Sequence, residues 1–262
     1  MDQIPLEEIR QRLKARYEAQ GFSENLFRND WSLLLRLGVH PQDATVEDLQ
    51  ATVMSAKKPG TKANYASRLR SMYKAMHKMG VIDNRSIDDL PMPRKGRGLP
   101  HPLTPNEANV LMNEASFPMR DWFVLGCLAG LRAMEVAQLR GMDLEDSSDG
   151  HILRIAGKGG TDLSVPVSPK VVEVIQRYKT PGRLWGFTPN RLSKMASWEM
   201  KRLGINNKTF HACRHYFATN MLEKSGGDLL AVRDLMRHSS VATTQVYTQL
   251  ASGRTRNLVN LI

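Results

Sequence analysis

Four short motifs in the second half of the chain carry residues able to handle phosphate and protons. Gly130-Leu131-Arg132-Ala133-Met134-Glu135 places an arginine where one helix gives way to the next. Arginine's planar fork can hold two phosphate oxygens, which lysine cannot. Glu135, one turn later, can orient Arg132 or simply cap the helix. Gly157-Lys158-Gly159-Gly160 puts a lysine in a glycine-rich turn, where the backbone can approach a partner closely. The spacing is not that of a nucleotide-cradling loop, because a glycine rather than Ser or Thr follows the lysine. His211-Ala212-Cys213-Arg214-His215 sets His211 and Arg214 three apart on one helix face. His211 and His215, four apart, also have the spacing of a metal pair, but no acidic third ligand accompanies them, so no metal is expected. His215 reads as a packing or backbone-bonding histidine. His238-Ser239-Ser240 leads, nine residues on, to Tyr247. Taken singly, such a tyrosine is a half-buried core residue at the end of an amphipathic helix.

These residues need elements to hold them. Thr104-Pro105-Asn106-Glu107 is a helix start, with a cap, a proline in the first turn and an acid at the third position. Helices are expected at 105–115, 119–129 and 133–140. The period then changes to that of three short strands, Asp143 to Glu145, Ile152 to Ile155 and Leu163 to Val167. Lys158 falls in the turn between the last two. Helices resume at 169–178, 189–203, 209–224, 228–236 and 241–248.

Residues 1 to about 90 have helical spacing throughout: 6–19, 22–37, a third helix opened by Thr45-Val46-Glu47-Asp48, and 61–79. In the last, Tyr65, Leu69, Met72, Met76 and Met79 form an apolar stripe. No acid occurs between Asp48 and Asp83, a window that holds Lys57, Lys58, Lys62, Arg68, Arg70, Lys74 and Lys78. Lys62, Arg70, Lys74 and Lys78 share a face. Like charges four apart weaken an isolated helix, so the arrangement calls for an outside anion such as a DNA backbone. The Pro- and Gly-rich stretch from Pro91 to Pro102 is a linker that adds Arg94, Lys95 and Arg97.

The whole chain agrees with a polyanionic partner. Its 262 residues carry a net charge of +11 and 41% apolar residues, enough for two modest cores. Nucleic acid is the first candidate and an acidic membrane surface the second. Cys127 and Cys213 offer neither a disulfide framework nor zinc spacing, which points to a reducing compartment. Asp2, Glu7 and Glu8 without an apolar run behind them do not resemble a signal peptide. The apolar run Trp122 to Leu131 is too short to span a bilayer. A cytoplasmic protein acting on DNA is expected.

Taken in order, Gly-Leu-Arg-x-x-Glu, a hairpin lysine, His-x-x-Arg-His, and His-Ser-Ser followed by Thr-Thr-x-x-Tyr resemble the tyrosine recombinase (phage integrase) family. The resemblance covers Leu103 to about Leu250, and the basic helical part before it is similar to the family's core-binding domain. It implies a mainly α fold: a helical core-type DNA-binding domain at 1–92, a basic linker at 93–102, and an α+β catalytic domain at 103–262 with a small three-stranded antiparallel sheet. The two domains would form a C-shaped clamp on DNA.

The roles implied are Tyr247 as nucleophile, Arg132 and Arg214 on the phosphate, and Lys158 as general acid. His211 would move the tyrosine proton and His238 would bond a phosphate oxygen. Lys57, Lys58, Lys62, Arg70, Lys74, Lys78, Arg94, Lys95 and Arg97 would hold DNA. A free tyrosine has a pKa near ~10, and neighbouring cations favour its phenolate. Attack would give a 3′-phosphotyrosyl ester that stores the bond energy, so rejoining needs no ATP and no cofactor.

The implied partners are double-stranded DNA core sites, a homotetramer on paired sites, and an accessory DNA-bending or directionality factor. The tail, ending Leu258-Val259-Asn260-Leu261-Ile262, would dock on a neighbouring protomer or on its own domain. Two departures stand out. Arg237 occupies a position where many relatives have glycine, which would alter a turn or add a phosphate contact. Residues 1–22 leave little room for an arm-binding domain, which favours a simple recombinase of a phage or mobile element. The alternatives are Xer-like resolution of replicon dimers, a type IB topoisomerase-like enzyme and an inactive DNA-binding regulator.

Overall fold

The computed structural model describes residues 3–94, 101–156, 162–237 and 244–247. The chain divides into two compact units, Met1–Gly98 and Leu99–Ile262. The first consists of four helices, α1 (Leu6–Ala19), α2 (Glu24–Leu35), α3 (Val46–Met54) and α4 (Pro59–Lys78), followed by a 3-10 turn at Ser86–Asp89. The helix starts follow local chemistry. Ser23 accepts the Leu26 N–H, which makes Ser23 the cap and starts α2 at Glu24 rather than at Phe22. Thr45 and Asp48 cap α3 reciprocally. Pro59 sits in the first turn of α4, where no intrahelical donor is lost. On α4 the residues Ala66, Leu69, Met72, Tyr73 and Met76 are buried against Ile9, Leu13, Leu34 and Leu49. Each such large apolar side chain contributes roughly 1.5–3 kcal/mol by leaving water. Tyr65 and Met79, at the ends of the expected stripe, are only partly buried.

The acid-free window is satisfied partly from within, which corrects the expectation that its charges look only outward. Arg68 pairs with the buried Asp30, which also accepts the Tyr17 hydroxyl at 2.6 Å. Arg70 donates to the Leu90 carbonyl. Lys57, Lys58, Lys74, Lys78 and Arg94 are exposed, and Lys62 is half-buried.

The second unit opens with α5 (Pro105–Glu114), α6 (Met119–Leu128) and α7 (Ala133–Gln138). Strands β1 (Leu144–Ser147), β2 (Gly150–Ala156) and β3 (Asp162–Val167) follow, then α8 (Pro169–Gln176), α9 (Pro189–Arg202), α10 (His211–Lys224) and α11 (Leu229–Leu235). The sheet is antiparallel in the order β1-β2-β3, with Leu144 opposite Leu153 and Leu153 opposite Val165. Leu153, Ile155 and Val165 turn into the core. Helix α6 is the centre of that core, with Trp122, Phe123, Val124, Leu125 and Cys127 all buried. Gly126 lets α10 come close: a Cβ there would lie 2.8 Å from Cys213 Cβ. Cys127 and Cys213 are free, buried thiols.

Of the helix expected at 241–248, Gln245–Tyr247 form a 3-10 turn, and 241–243 and 248 lie outside the described residues. No helix among the described residues is long and apolar enough to cross a membrane.

Candidate active site

Arg132 stands at the N-terminal cap of α7, directly after a turn made by Gly130 at φ +62°. Its backbone N–H donates to Glu135 Oε2 at 2.7 Å and its Nη1 to Glu135 Oε1 at 2.7 Å. Glu135 therefore both caps the helix and orients the arginine. The Arg132 side chain remains 40% exposed, open to a ligand.

Arg214, on the first turn of α10, reaches into the same cluster and is only 1% exposed. Its guanidinium donates to the carbonyls of Gly130 and Met236 and lies 3.9 Å from Glu135 Oε2. Burial, together with the charges of Arg132 and Arg237, lowers its pKa to about 9, so it stays cationic at neutral pH. Burial alone would raise the pKa of Glu135. The charge of Arg237, the hydrogen bonds from Arg132 and the charge of Arg214 outweigh it and hold the carboxyl below its ordinary value.

Arg237 follows α11 in left-handed backbone, φ +53°. Such a conformation costs a non-glycine residue roughly 1–2 kcal/mol. Its guanidinium points inward and donates to Glu135 Oε2 at 2.9 Å and to Leu235 O at 3.1 Å. Of the two expectations for this position, the altered turn describes it. The side chain is 2% exposed and is engaged with Glu135 and the carbonyls of Leu235 and Gly130.

Tyr247 is 3% exposed and packs with Phe217, Ala218, Leu222, Val232 and Met236. Its hydroxyl and His215 Nδ1 are hydrogen-bonded at 2.8 Å. This corrects the reading of His215 as a packing or backbone-bonding residue. Its sequence signals were the last position of the His-x-x-Arg-His motif and its place one turn after His211, whose ring centroid is 4.5 Å away. Burial raises the tyrosine's pKa, and Arg214 and Arg132 oppose the rise without cancelling it. His211 lies at the exposed start of α10. Partial desolvation of its ring and the charges of Arg214 and Arg132 lower its pKa, which keeps the imidazole neutral at pH 7.

Lys158 and His238 lie outside the described residues, as do Lys95, Arg97 and the 254–262 tail. The strand ends flanking the lysine segment, Ala156 and Asp162, are paired with each other. Beside Glu135 a cavity of about 530 Å³ is lined by Arg140, Arg154 and Arg183, three bases that sequence patterning did not single out. In the first unit, Arg70, Lys74 and Lys78 line a second concavity with His77 and Arg85, and Asp88 at its edge pairs with Arg85 at 3.8 Å. Among the described residues, no group of three or more His, Cys, Asp or Glu side chains could hold a metal ion.

Residues 102–254 match the family model described as the phage integrase family. The chain belongs to the phage integrase family. The chain is 30% identical over 220 residues to tyrosine recombinase XerD of Lacticaseibacillus casei, covering 75% of this chain and 74% of that one. It is 34% identical over 216 residues to tyrosine recombinase XerC of Rhodospirillum centenum, covering 72% and 62% respectively. A solved lambda integrase dimer bound to a COC′ core site shares the fold at 16% identity, with a TM-score of 0.74 over 93% of this chain and 95% of that one. The protein is accordingly a tyrosine-type site-specific DNA recombinase.

Proposed function

We propose that this recombinase cleaves each strand of a short duplex core site through Tyr247 and rejoins it to a second site. The observation that supports the reading most is the position of the Tyr247 hydroxyl. It is bonded to His215 and lies within the field of Arg214 and Arg132, whose guanidinium groups share one carboxylate. Attack on a phosphodiester gathers negative charge on the non-bridging oxygens. Arg132 and Arg214 neutralise that charge from fixed positions, without reorganisation at the moment of reaction. His211, neutral at pH 7, accepts the phenol proton; Lys158 donates a proton to the departing 5′ oxygen; His238 bonds a phosphate oxygen. The phosphorus–5′ oxygen bond breaks as the phosphorus–tyrosyl bond forms, and the reverse attack by a 5′ hydroxyl releases the enzyme.

Tyr247 is 3% exposed and its hydroxyl is bonded to His215, so DNA binding turns the side chain outward to reach a phosphate. Lys57 and Lys58 just before α4, Lys62, Arg70, Lys74 and Lys78 on it, and Arg94, Lys95 and Arg97 hold the phosphate backbone. Recombination proceeds by two successive strand exchanges in a homotetramer, with an accessory DNA-bending factor setting direction. The substrate is the attachment site of a phage or mobile element. Identity of 30% and 34% to XerD and XerC relatives favours, as a second reading, resolution of replicon dimers.

The test is a suicide substrate nicked in its core site. Wild type accumulates a covalent protein–DNA adduct and Tyr247→Phe forms none, while both bind the duplex equally. An adduct that survives the substitution refutes the tyrosine assignment.

A further inference from the structure

Three guanidinium groups converge on one carboxylate in this site. Arg132 takes Oε1 of Glu135 through Nη1, and its backbone N–H takes Oε2. Arg237 takes Oε2 as well, at 2.9 Å. Arg214 is held back at 3.9 Å from the same oxygen, tied instead to the Gly130 and Met236 carbonyls. Arg237 also donates to Gly130 O at 3.3 Å, and its Nε is buried with no partner among the described residues. An arginine in left-handed backbone, at 2% exposure and with an unsatisfied donor, is an unfavourable arrangement to retain for packing alone.

We infer that Arg237 is a positioning residue for the phosphate-binding arginines, acting through Glu135. By occupying Oε2 it keeps that carboxylate from closing on Arg214, whose charge then stays available to the scissile phosphate. By completing the acceptor set of Glu135 it also locks the carboxylate in the rotamer that aims Arg132. Without Arg237, Oε2 would keep only the Arg132 backbone N–H, and its open side and the adjacent Arg214 would form a charge-assisted pair, so that one of the two phosphate ligands would be neutralised before substrate arrives. The inference rests on the recombinase reading given above.

The experiment is single-turnover cleavage of the nicked suicide substrate, with DNA affinity measured separately. Arg237→Ala and Arg237→Gly should lower the cleavage rate constant by about tenfold or more, while the Kd for the duplex changes less than about threefold. Arg237→Lys, which restores a cation but not the fork, should recover part of the rate. The mechanism through Glu135 predicts non-additivity: in a Glu135→Gln background, Arg237→Ala should change the rate less than about threefold. A methylphosphonate at the scissile position, which removes one oxygen charge, should shrink the Arg237→Ala deficit.

A purely structural role would lower the melting temperature and leave the rate constant of the folded enzyme and the methylphosphonate comparison unmoved. Equal rates for Arg237→Gly and wild type overturn the inference, as does a full additive loss in the Glu135→Gln background. If the alanine and glycine variants do not fold, Arg237→Lys decides: wild-type rate with methylphosphonate and a reduced rate with phosphate support the inference, and equal deficits on both overturn it. Failure of wild type to form any adduct would instead refute the recombinase chemistry of Tyr247.

Discussion

Replacing Gly130 with alanine tests whether the turn before Arg132 is as constrained as its geometry indicates. Two penalties apply. The backbone sits at φ +62°, which costs an L-residue roughly 1–2 kcal/mol. The added Cβ would lie 2.6 Å from Cδ1 of Phe217, with Cε1 and Cγ at 3.0 and 3.2 Å. Phe217 is 6% exposed and packed on Tyr247, so its ring cannot swing into solvent. Overpacking of that kind adds roughly 1–3 kcal/mol. The expected loss is about 2–5 kcal/mol, which lowers the melting temperature of a unit of this size by roughly 5–20 °C.

Thermal unfolding followed by circular dichroism measures the sum, and a cycle with Phe217→Ala divides it. Removing the ring should relieve the clash and leave the dihedral penalty of roughly 1–2 kcal/mol. Cleavage should fall further than stability, because the Gly130 carbonyl anchors both Arg214 and Arg237. A Gly130→Ala protein within about 0.5 kcal/mol of wild type would refute this reasoning, since only unconstrained surface sites behave that way.

Other expectations concern protons, salt and the first unit. Because its pKa is lowered, His211 is neutral at pH 7 and charges only as pH falls below its ordinary value of 6.5. The cleavage rate should be flat through neutrality and drop on the acid side of that value, and the acid limb should vanish in His211→Asn; a limb centred above 6.5 contradicts the assignment. Burial raises the pKa of Tyr247 above its ordinary value of 10.0, so the ultraviolet titration difference between wild type and Tyr247→Phe should place its ionisation at higher pH than that of a free tyrosine. Lys74→Gln with Lys78→Gln should reduce the slope of log K against log salt by roughly 0.9 per lysine, and an unchanged slope would remove α4 from the DNA contact. Asp30→Ala strands the Arg68 guanidinium and the Tyr17 hydroxyl and should destabilise the first unit by roughly 2–4 kcal/mol in urea unfolding.

The helix starts were legible because they are local. Thr45 with Asp48 and Thr104 with Glu107 act within three residues of themselves, whereas the helical spacing that runs on from Phe22 hid the equally local cap at Ser23. The alternating pattern of 152–155 and 163–167 identified two strands that extend by only a few residues in the structure. What the sequence hid are contacts between distant positions. Nothing near Arg68 indicates Asp30, 38 residues away, so Arg68 counted only as one more base in the acid-free window. The Glu135–Arg237 pair spans 102 residues, and the His215–Tyr247 bond 32. The resemblance implied His211 as the residue that moves the tyrosine proton and gave no sign that the phenol would be bonded to His215, one turn further along α10. Charge patterning favoured a phenolate at Tyr247. It had no access to the burial by Phe217, Leu222 and Met236 that raises the pKa instead.

The central claim is that Tyr247, set among Arg132, Arg214 and the histidines of α10, forms the bond to DNA. The most direct measurement is mass spectrometry of the trapped adduct after protease and nuclease digestion. The account predicts a single modified peptide containing Tyr247, with the nucleotide attached through its 3′ phosphate to the phenolic oxygen. A nucleotide on any other residue, or a 5′-phosphate linkage at Tyr247, would contradict it.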